Sequence, residues 1–249
     1  MTVADLATPD PNATNPNAIN TNAADLEALA TRAGEDLEDA SAEDILRWGV
    51  DTFGPGLAVT SSMQDGLLAH LAARVRPGID VVFLDTGYHF VETIGTRDAV
   101  ASVTNVTLLN ITPRQTVAEQ DAEHGPRLFE RDPDRCCALR KVEPLKEALA
   151  PYSAWATGLR RDESPSRADT KVVAWDAKLG KVKISPIARW TEADVEDYIA
   201  THGVLVNPLR LDGYPSIGCA PCTRRVAPGE DSRSGRWAGR QKTECGMHA

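Results

Sequence analysis

Nowhere in its 249 residues does the sequence hold an apolar run close to the ~20 residues that cross a bilayer, so no transmembrane helix is expected. The opening MTVADLATPDPN has neither the basic start nor the apolar core of a signal peptide, which predicts a cytoplasmic chain whose thiols stay reduced. The phosphate-loop pattern Gly-x-x-x-x-Gly-Lys-Ser/Thr is missing. So is a regular basic stripe interleaved with aromatics, the mark of a nucleic-acid face. Cysteine is scarce, with five residues, and these are the most informative in the chain.

Four of the five form two pairs, Cys136-Cys137 and Cys219-Ala220-Pro221-Cys222, and the fifth, Cys245, stands alone near the C-terminus. The CxxC pair lets two thiolates converge on one centre, and Gly218 and Pro221 bend the backbone as such a loop requires. Adjacent cysteines on a helix diverge by about 100°. That suits one small tetrahedral ion poorly and a cubane, whose iron corners lie apart, better. Ligand softness and this divergence favour a [4Fe–4S] cluster over structural zinc. A disulfide framework or inert buried thiols are the bland readings, and a reduced compartment and a paired pattern weigh against them. Four ligands plus one lone thiol suggest redox sulfur chemistry.

The charge of −9 is concentrated at the start. Residues 1–40 carry eight acids against the single base Arg32, leaving −2 for the remainder. Residues 1–22, rich in Asn, Ala, Thr and Pro, are expected to be disordered, and 23–40 to form a loosely attached acidic helix. Bases gather later, beside the cysteines or in Gly/Ser-rich loops: Arg135, Arg140, Lys141, Arg160, Arg161, Arg167, Arg233, Arg236 and Lys242 among them. Guanidinium forks in loops match a small, multiply charged anion such as phosphate or sulfate.

The middle of the chain alternates strand and helix. Strands are predicted over 56–60, 79–84, 106–111 and 155–162, and helices over 67–75, 91–102 and 116–124. The cysteine pair sits on a helix starting at 135, and 171–175 with 181–186 read as a hairpin turning at Leu179-Gly180. Thr191-Glu-Ala-Asp opens a helix running to His202. This pattern implies an α/β fold with a doubly wound, mostly parallel sheet. Ser61-Ser62-Met63-Gln64-Asp65-Gly66 lies between a strand and a helix, where free N–H groups cradle anions. Asp85-Thr86-Gly87-Tyr88-His89 follows the next strand, at the end where open α/β sheets bind ligands.

Read together, SSMQDG, LDTGYHF, CCALRKVEPL, TGLRRDESPSR, SIGCAPCTR and KTECGMH resemble, in content and order from about residue 41 onward, the assimilatory adenylylsulfate (APS) reductases, close kin of the phosphoadenylylsulfate (PAPS) reductases. The resemblance implies an adenine nucleotide α-hydrolase-like fold, a [4Fe–4S] cofactor, and reduction of APS to sulfite and AMP with electrons from thioredoxin. It implies a core over 41–226 and a flexible tail over 227–249. Cys136, Cys137, Cys219 and Cys222 would hold the cluster, and Cys245 would be the nucleophile, with His248 beside it. Ser61 and Ser62 would line the nucleotide loop, with Leu84 and Thr86 near the adenine. Lys141, Gly158, Arg161, Arg167, Arg233 and Arg236 would surround the phosphosulfate. A homodimer or homotetramer, without nucleic acid or membrane as partner, completes the expectation.

Two departures stand out. Met247 replaces the usual Leu of ECGLH, and Arg236 is followed by only one tryptophan, Trp237, where the family often has several. The spacing between Arg161 and Arg167 also varies in the family. Free cysteine titrates near 8.5, so Lys242, Arg240 or a protonated His248 would raise the thiolate share of Cys245. No sixth cysteine exists to resolve an adduct on Cys245, which calls for an external dithiol. Three other readings stay open: PAPS as substrate; an iron–sulfur ATP-pyrophosphatase acting on tRNA, which needs SGGxDS where this chain has SSMQDG; and a zinc-stapled binding module.

Overall fold

In the computed structural model, residues 22–240 and 242–247 are described. A six-stranded sheet, in the order β3-β2-β1-β4-β6-β5, organises them. Its strands are β1 (Leu57–Thr60), β2 (Ile79–Leu84), β3 (Val106–Ile111), β4 (Ala154–Ala156), β5 (Val173–Asp176) and β6 (Lys181–Ile184). All neighbours pair in parallel except β5 with β6, the expected hairpin, which turns through Gly180 at φ +65°. The chain lays β1, β2 and β3 outward to one side and then places β4 on the other side of β1. The switch point therefore lies between β1 and β4, where the carboxyl ends of the strands open a crevice.

Local sequence explains the helices that flank this sheet. Ser41 accepts from Asp44 N at the start of α2 (Ala42–Phe53). Thr116 and Glu119 form a capping box on α5 (Val117–His124), and Thr191 and Asp194 one on α9 (Glu192–His202). The apolar positions of α3 (Leu67–Val75), among them Leu67, Leu68, Leu71 and Ala72, are buried. α3, α4 (Val91–Val103), α5 and α9 match the expected boundaries closely, whereas α2 had no counterpart in the expectations.

One sheet face packs Leu57, Val59, Val81, Phe83, Val182 and Ile184 against residues of α2, α3 and α9. The other packs Ala58, Val82 and Trp155 against Leu145 and Leu149, with Met247 of the tail laid on the same cluster. Leu145 belongs to α8 (Glu143–Ala148), so the cysteine-bearing segment is fastened to the sheet by its own continuation.

The N-terminal helix differs from its expectation. Residues 1–21 lie outside the described residues. However, α1 (Ala23–Asp36) is not loosely attached, because it buries Leu26, Ala30 and Ala33 in the main core. Gly34 approaches Val173 so closely that an added Cβ would stand 2.5 Å from its carbonyl oxygen. Beyond α1, Glu38 grips Arg161 with both carboxylate oxygens, at 2.6 and 3.0 Å, and offers its carbonyl to Arg189 at 2.9 Å.

The cysteine helix differs too. Pro133, at the first helical position, opens α7 (Pro133–Cys137) after a short α6 (Leu128–Arg131), and Asp132 caps it by accepting from Arg135 N at 2.9 Å. Ala138–Val142 then form a π-helical turn before α8 resumes. None of the described helices is long and apolar enough to cross a membrane.

Candidate active site

The crevice beyond the carboxyl ends of β1, β2 and β4 is a cleft lined by Ser61, Ser62, Leu84, Thr86 and Gly158, all expected from sequence. Its far wall holds Lys141, Arg167, Arg233, Arg236 and Cys245. The structure thus brings together every expected substrate-side residue except Arg161, which turns away to Glu38 and to the carbonyl of Thr170 at 2.7 Å. Arg160 lines the cleft in its place, ion-paired to Glu192. The physical reason lies in β4, which ends at Ala156 rather than near residue 162. After it, the Arg161 backbone N–H donates to Ala188 O at 2.8 Å and a 3-10 turn over Arg161–Glu163 reverses the side chains.

The floor of the cleft is tightly braced. Met63 takes a left-handed φ of +57°, unusual for a side chain of its size, and its amide donates to Ser61 Oγ at 3.3 Å. The buried Asn207 amide donates to Met63 O at 3.2 Å and to Thr93 Oγ1 at 3.0 Å. Gln64 Oε1 accepts from Ile217 N at 3.0 Å, which ties the SSMQDG loop to the loop entering the second cysteine pair.

Behind the cleft, Cys136, Cys137, Cys219 and Cys222 line one small cavity with Tyr88, Phe129, Arg140, Lys141 and Trp237. All four thiols are free. Burial first, and then the three neighbouring thiols, push Cys136 up to about 12, while burial pushes Cys137 up to about 11. Such thiols bind metal only by giving up their protons. Among the described residues no three His, Cys, Asp or Glu side chains meet at a single-ion position. The four thiols surround a space instead. Tyr88 Oη and Trp237 Nε1, both on side chains lining this cavity, are buried without hydrogen-bond partners. An all-thiol donor set with orphaned O–H and N–H donors in its wall fits an iron–sulfur group, whose sulfurs accept such bonds.

Two residues join the cavities. Thr86 Oγ1 lies 3.2 Å from Cys219 Sγ while Thr86 also lines the cleft. Lys141, presented by the π turn, lines both spaces. Burial pulls its pKa down, but Cys219 and Cys245 outweigh that and leave it above its ordinary value. Its neighbour Arg140 goes the other way, with Nε donating to Thr86 O and Nη1 to Gln115 O and Gln120 Oε1, beneath the Tyr88 ring.

Cys245 is 7% exposed and packs against Cys137 and Trp237. The preceding tail is pinned: Arg240 donates to Phe129 O, and Lys242 pairs with Asp134. His248 lies outside the described residues. Arg236 donates to Ser216 Oγ at 3.3 Å and to Ile217 O at 3.2 Å, with its guanidinium carbon 4.6 Å from the centre of the Trp237 ring. Neither Lys141 nor Arg236 forms an ion pair with a carboxylate among the described residues, so both charges remain for a ligand. Sequence reasoning missed Glu244, which lines the cleft and pairs with Arg167. An acid next to the lone cysteine and a cluster of arginines elsewhere were the only signals.

The model of the phosphoadenosine phosphosulfate reductase domain matches residues 56–225. The adenosine 5′-phosphosulfate reductase of Streptomyces coelicolor is 69% identical over 224 residues, covering 90% of this chain and 95% of that protein. That of Mycolicibacterium smegmatis is 59% identical with the same coverage. Among solved structures, a PAPS reductase from Candida auris in complex with phosphate superposes with a TM-score of 0.69 at 29% identity, over 84% of this chain and all of that one. A Candida glabrata FMN adenylyltransferase, at 12% identity and a TM-score of 0.53 over 84% of this chain and 77% of that one, shares the fold alone. A domain model that matches most of the chain, and relatives of this identity over nearly their whole length, show that the chain belongs to the phosphoadenosine phosphosulfate reductase domain family.

Proposed function

We propose that this chain reduces adenylylsulfate to sulfite and AMP in sulfate assimilation, through a covalent adduct on Cys245. The observation that carries the reading is that Cys245 lines the same cleft as the Ser61-Ser62 loop, Thr86, Gly158 and the cations Lys141 and Arg236. The nucleotide lies over the loop, with Leu84 and Thr86 near its base, and the phosphosulfate faces the cations. The Cys245 thiolate attacks the sulfate sulfur, and the bond from sulfur to the bridging oxygen breaks. AMP leaves with the electron pair, and an S-sulfonate remains on Cys245. The thiolate of a dithiol reductant, thioredoxin in this reading, then attacks Cys245 Sγ and expels sulfite. Its second thiol opens the resulting mixed disulfide.

Lys141 and Arg236 neutralise charge that otherwise opposes an anion approaching an anion. His248 assists the thiol from the end of the chain. Cys136, Cys137, Cys219 and Cys222 would hold the [4Fe–4S] cluster, which when bound would tie the cysteine helix to the CxxC loop. Residues 227–249 act as the tail that presents the thiol to the core over 41–226. We place the enzyme in the cytoplasm as a homo-oligomer. Incubation with APS and no reductant, followed by intact mass, tests the central step. The expected result is a sulfonate-sized gain that Cys245→Ser abolishes; an unchanged mass in cluster-replete protein refutes it. A comparison of kcat/KM for APS and PAPS separates the two substrates.

A further inference from the structure

The cleft already contains an anion, and it belongs to the chain. Glu244 faces Arg167 with both oxygens: Arg167 Nε donates to Oε1 at 2.7 Å and Nη2 to Oε2 at 2.7 Å. The remaining side of the same guanidinium is taken by Glu163 through Nη1. Arg233 Nη2 approaches Glu244 Oε2 at 3.4 Å and donates to Thr243 O at 3.1 Å. Ser166 Oγ adds a contact to Oε1 at 3.3 Å. Arg167, Arg233 and Glu244 are each between 11 and 15% exposed at the side chain, and all line the cleft. Burial pushes the Glu244 carboxyl up, but the hydrogen bonds and charge of Arg167 outweigh it, and the group stays ionised below its ordinary range.

A guanidinium has two bidentate edges, Nε with Nη2 and Nη1 with Nη2. Glu244 fills the first edge of Arg167 and Glu163 holds Nη1 of the second, so a phosphate or sulfate finds neither edge clear. Arg167 is therefore either fastened to the tail or engaged with the phosphosulfate. The residue after Glu244 is Cys245, so whatever moves this carboxylate also loosens the thiol. Arg240 and Lys242 hold the tail further back at points the cleft does not reach, which confines the loosening to the last few residues.

We infer that Glu244 is an internal anion occupying the substrate's seat: the phosphosulfate enters by displacing it from Arg167 and thereby unfastens the segment that carries Cys245. The inference rests on the adenylylsulfate reading above. It makes substrate binding and tail release one linked equilibrium, in which removing the Glu244 charge tightens phosphosulfate binding by the factor that the charge costs it.

ADP tests this directly, because its terminal phosphate stands where the sulfate would be and does not transfer to a thiol. AMP lacks that second anion. Titration calorimetry on the full chain, purified anaerobically with its metal, compares the wild type with Glu244→Gln. The expected result is about tenfold tighter ADP binding in Glu244→Gln, within the usual range of coupling between sites, with AMP affinity changed less than about twofold. Alkylation of Cys245 by neutral iodoacetamide in the absence of nucleotide should be several-fold faster in Glu244→Gln, and Glu244→Asp should restore the slow rate in part. ADP affinity that is equal or weaker in Glu244→Gln while the wild type binds ADP overturns the exchange and leaves the substrate reading intact. Failure of the wild type to bind either nucleotide removes both.

Discussion

A single methyl group tests whether Arg236 acts through its position. Gly218, in the loop entering the second cysteine pair, has no room for a side chain: a Cβ there would stand 2.5 Å from Arg236 Cζ and 3.0 Å from Nε. Ordinary contact needs at least 3.4 Å, so Gly218→Ala must push the guanidinium aside by about 1 Å. The atoms that yield are the end of a flexible side chain, so the fold should tolerate the change. Arg236 would lose its bonds to Ser216 Oγ and Ile217 O, and its charge would retreat from the sulfate.

At an effective dielectric of about 20, moving a unit charge from about 4 to about 5 Å from its partner weakens the attraction from ~4 to ~3.3 kcal/mol, a factor of about three in rate. Misdirected donors raise the loss toward 10²-fold, as about 1 Å of misplacement commonly does. The expected outcome for Gly218→Ala is a kcat/KM for APS about 5- to 50-fold below wild type, measured as sulfite released with thioredoxin in excess, with a Tm within about 2 °C. In an Arg236→Ala background the same substitution should cost nothing further, since the group it displaces is gone. Wild-type kcat/KM in Gly218→Ala, or an equal loss in both backgrounds, refutes the reasoning.

Other outcomes follow from the same geometry. Arg140→Met would strand Thr86 O, Gln115 O and Gln120 Oε1 around a buried position, costing about 3 kcal/mol and lowering Tm by roughly 6–12 °C in a chain of this size; a fall under about 2 °C would show that those acceptors find other partners. Purified protein should be brown, with Cys137→Ser or Cys219→Ser bleaching it and Cys245→Ser leaving the colour unchanged; iron analysis reads the difference, and a colourless zinc protein would contradict it. Because the Glu244 carboxyl titrates below its usual 4.5 in the folded chain, its contribution to stability is complete above pH 4.5 and disappears as the pH falls through the lowered value. The Tm gap between wild type and Glu244→Gln should therefore be constant from pH 7 to pH 5 and close in stronger acid; a gap that widens on acidification has the wrong sign for this clasp.

Much of the scaffold was legible because local signals and tertiary demands agree. Ile79–Leu84 and Val106–Ile111 are largely apolar runs rich in β-branched residues, and they became β2 and the edge strand β3 at the expected bounds. The cysteine pairs could be grouped by residue type alone, and the cavity they line accords with that grouping. Arg161 was misplaced for a reason no local pattern reveals: its partner Glu38 lies 123 residues earlier, on a segment whose acidic composition suggested loose attachment. The same holds for α1, where Leu26, Ala30 and Ala33 form a narrow apolar stripe that average composition hides. Glu244 was overlooked because its significance comes from Arg167, 77 residues away.

The π turn at Ala138–Val142 has a consequence for how the cysteine segment tolerates change. It inserts one surplus residue between the thiols and Leu145, which anchors α8 to the sheet. Each residue of a regular helix advances the side-chain phase by about 100°. Five residues of the π turn cover about the rotation that four cover in an α-helix, so deleting one residue of the turn would let the helix run straight through and, with α8 anchored, leave Cys136 and Cys137 facing Cys219 and Cys222. Substitutions that keep the count leave the bulge intact, so a deletion between residues 138 and 142 should disturb Arg140 and Lys141, which the turn carries, before it disturbs the thiols.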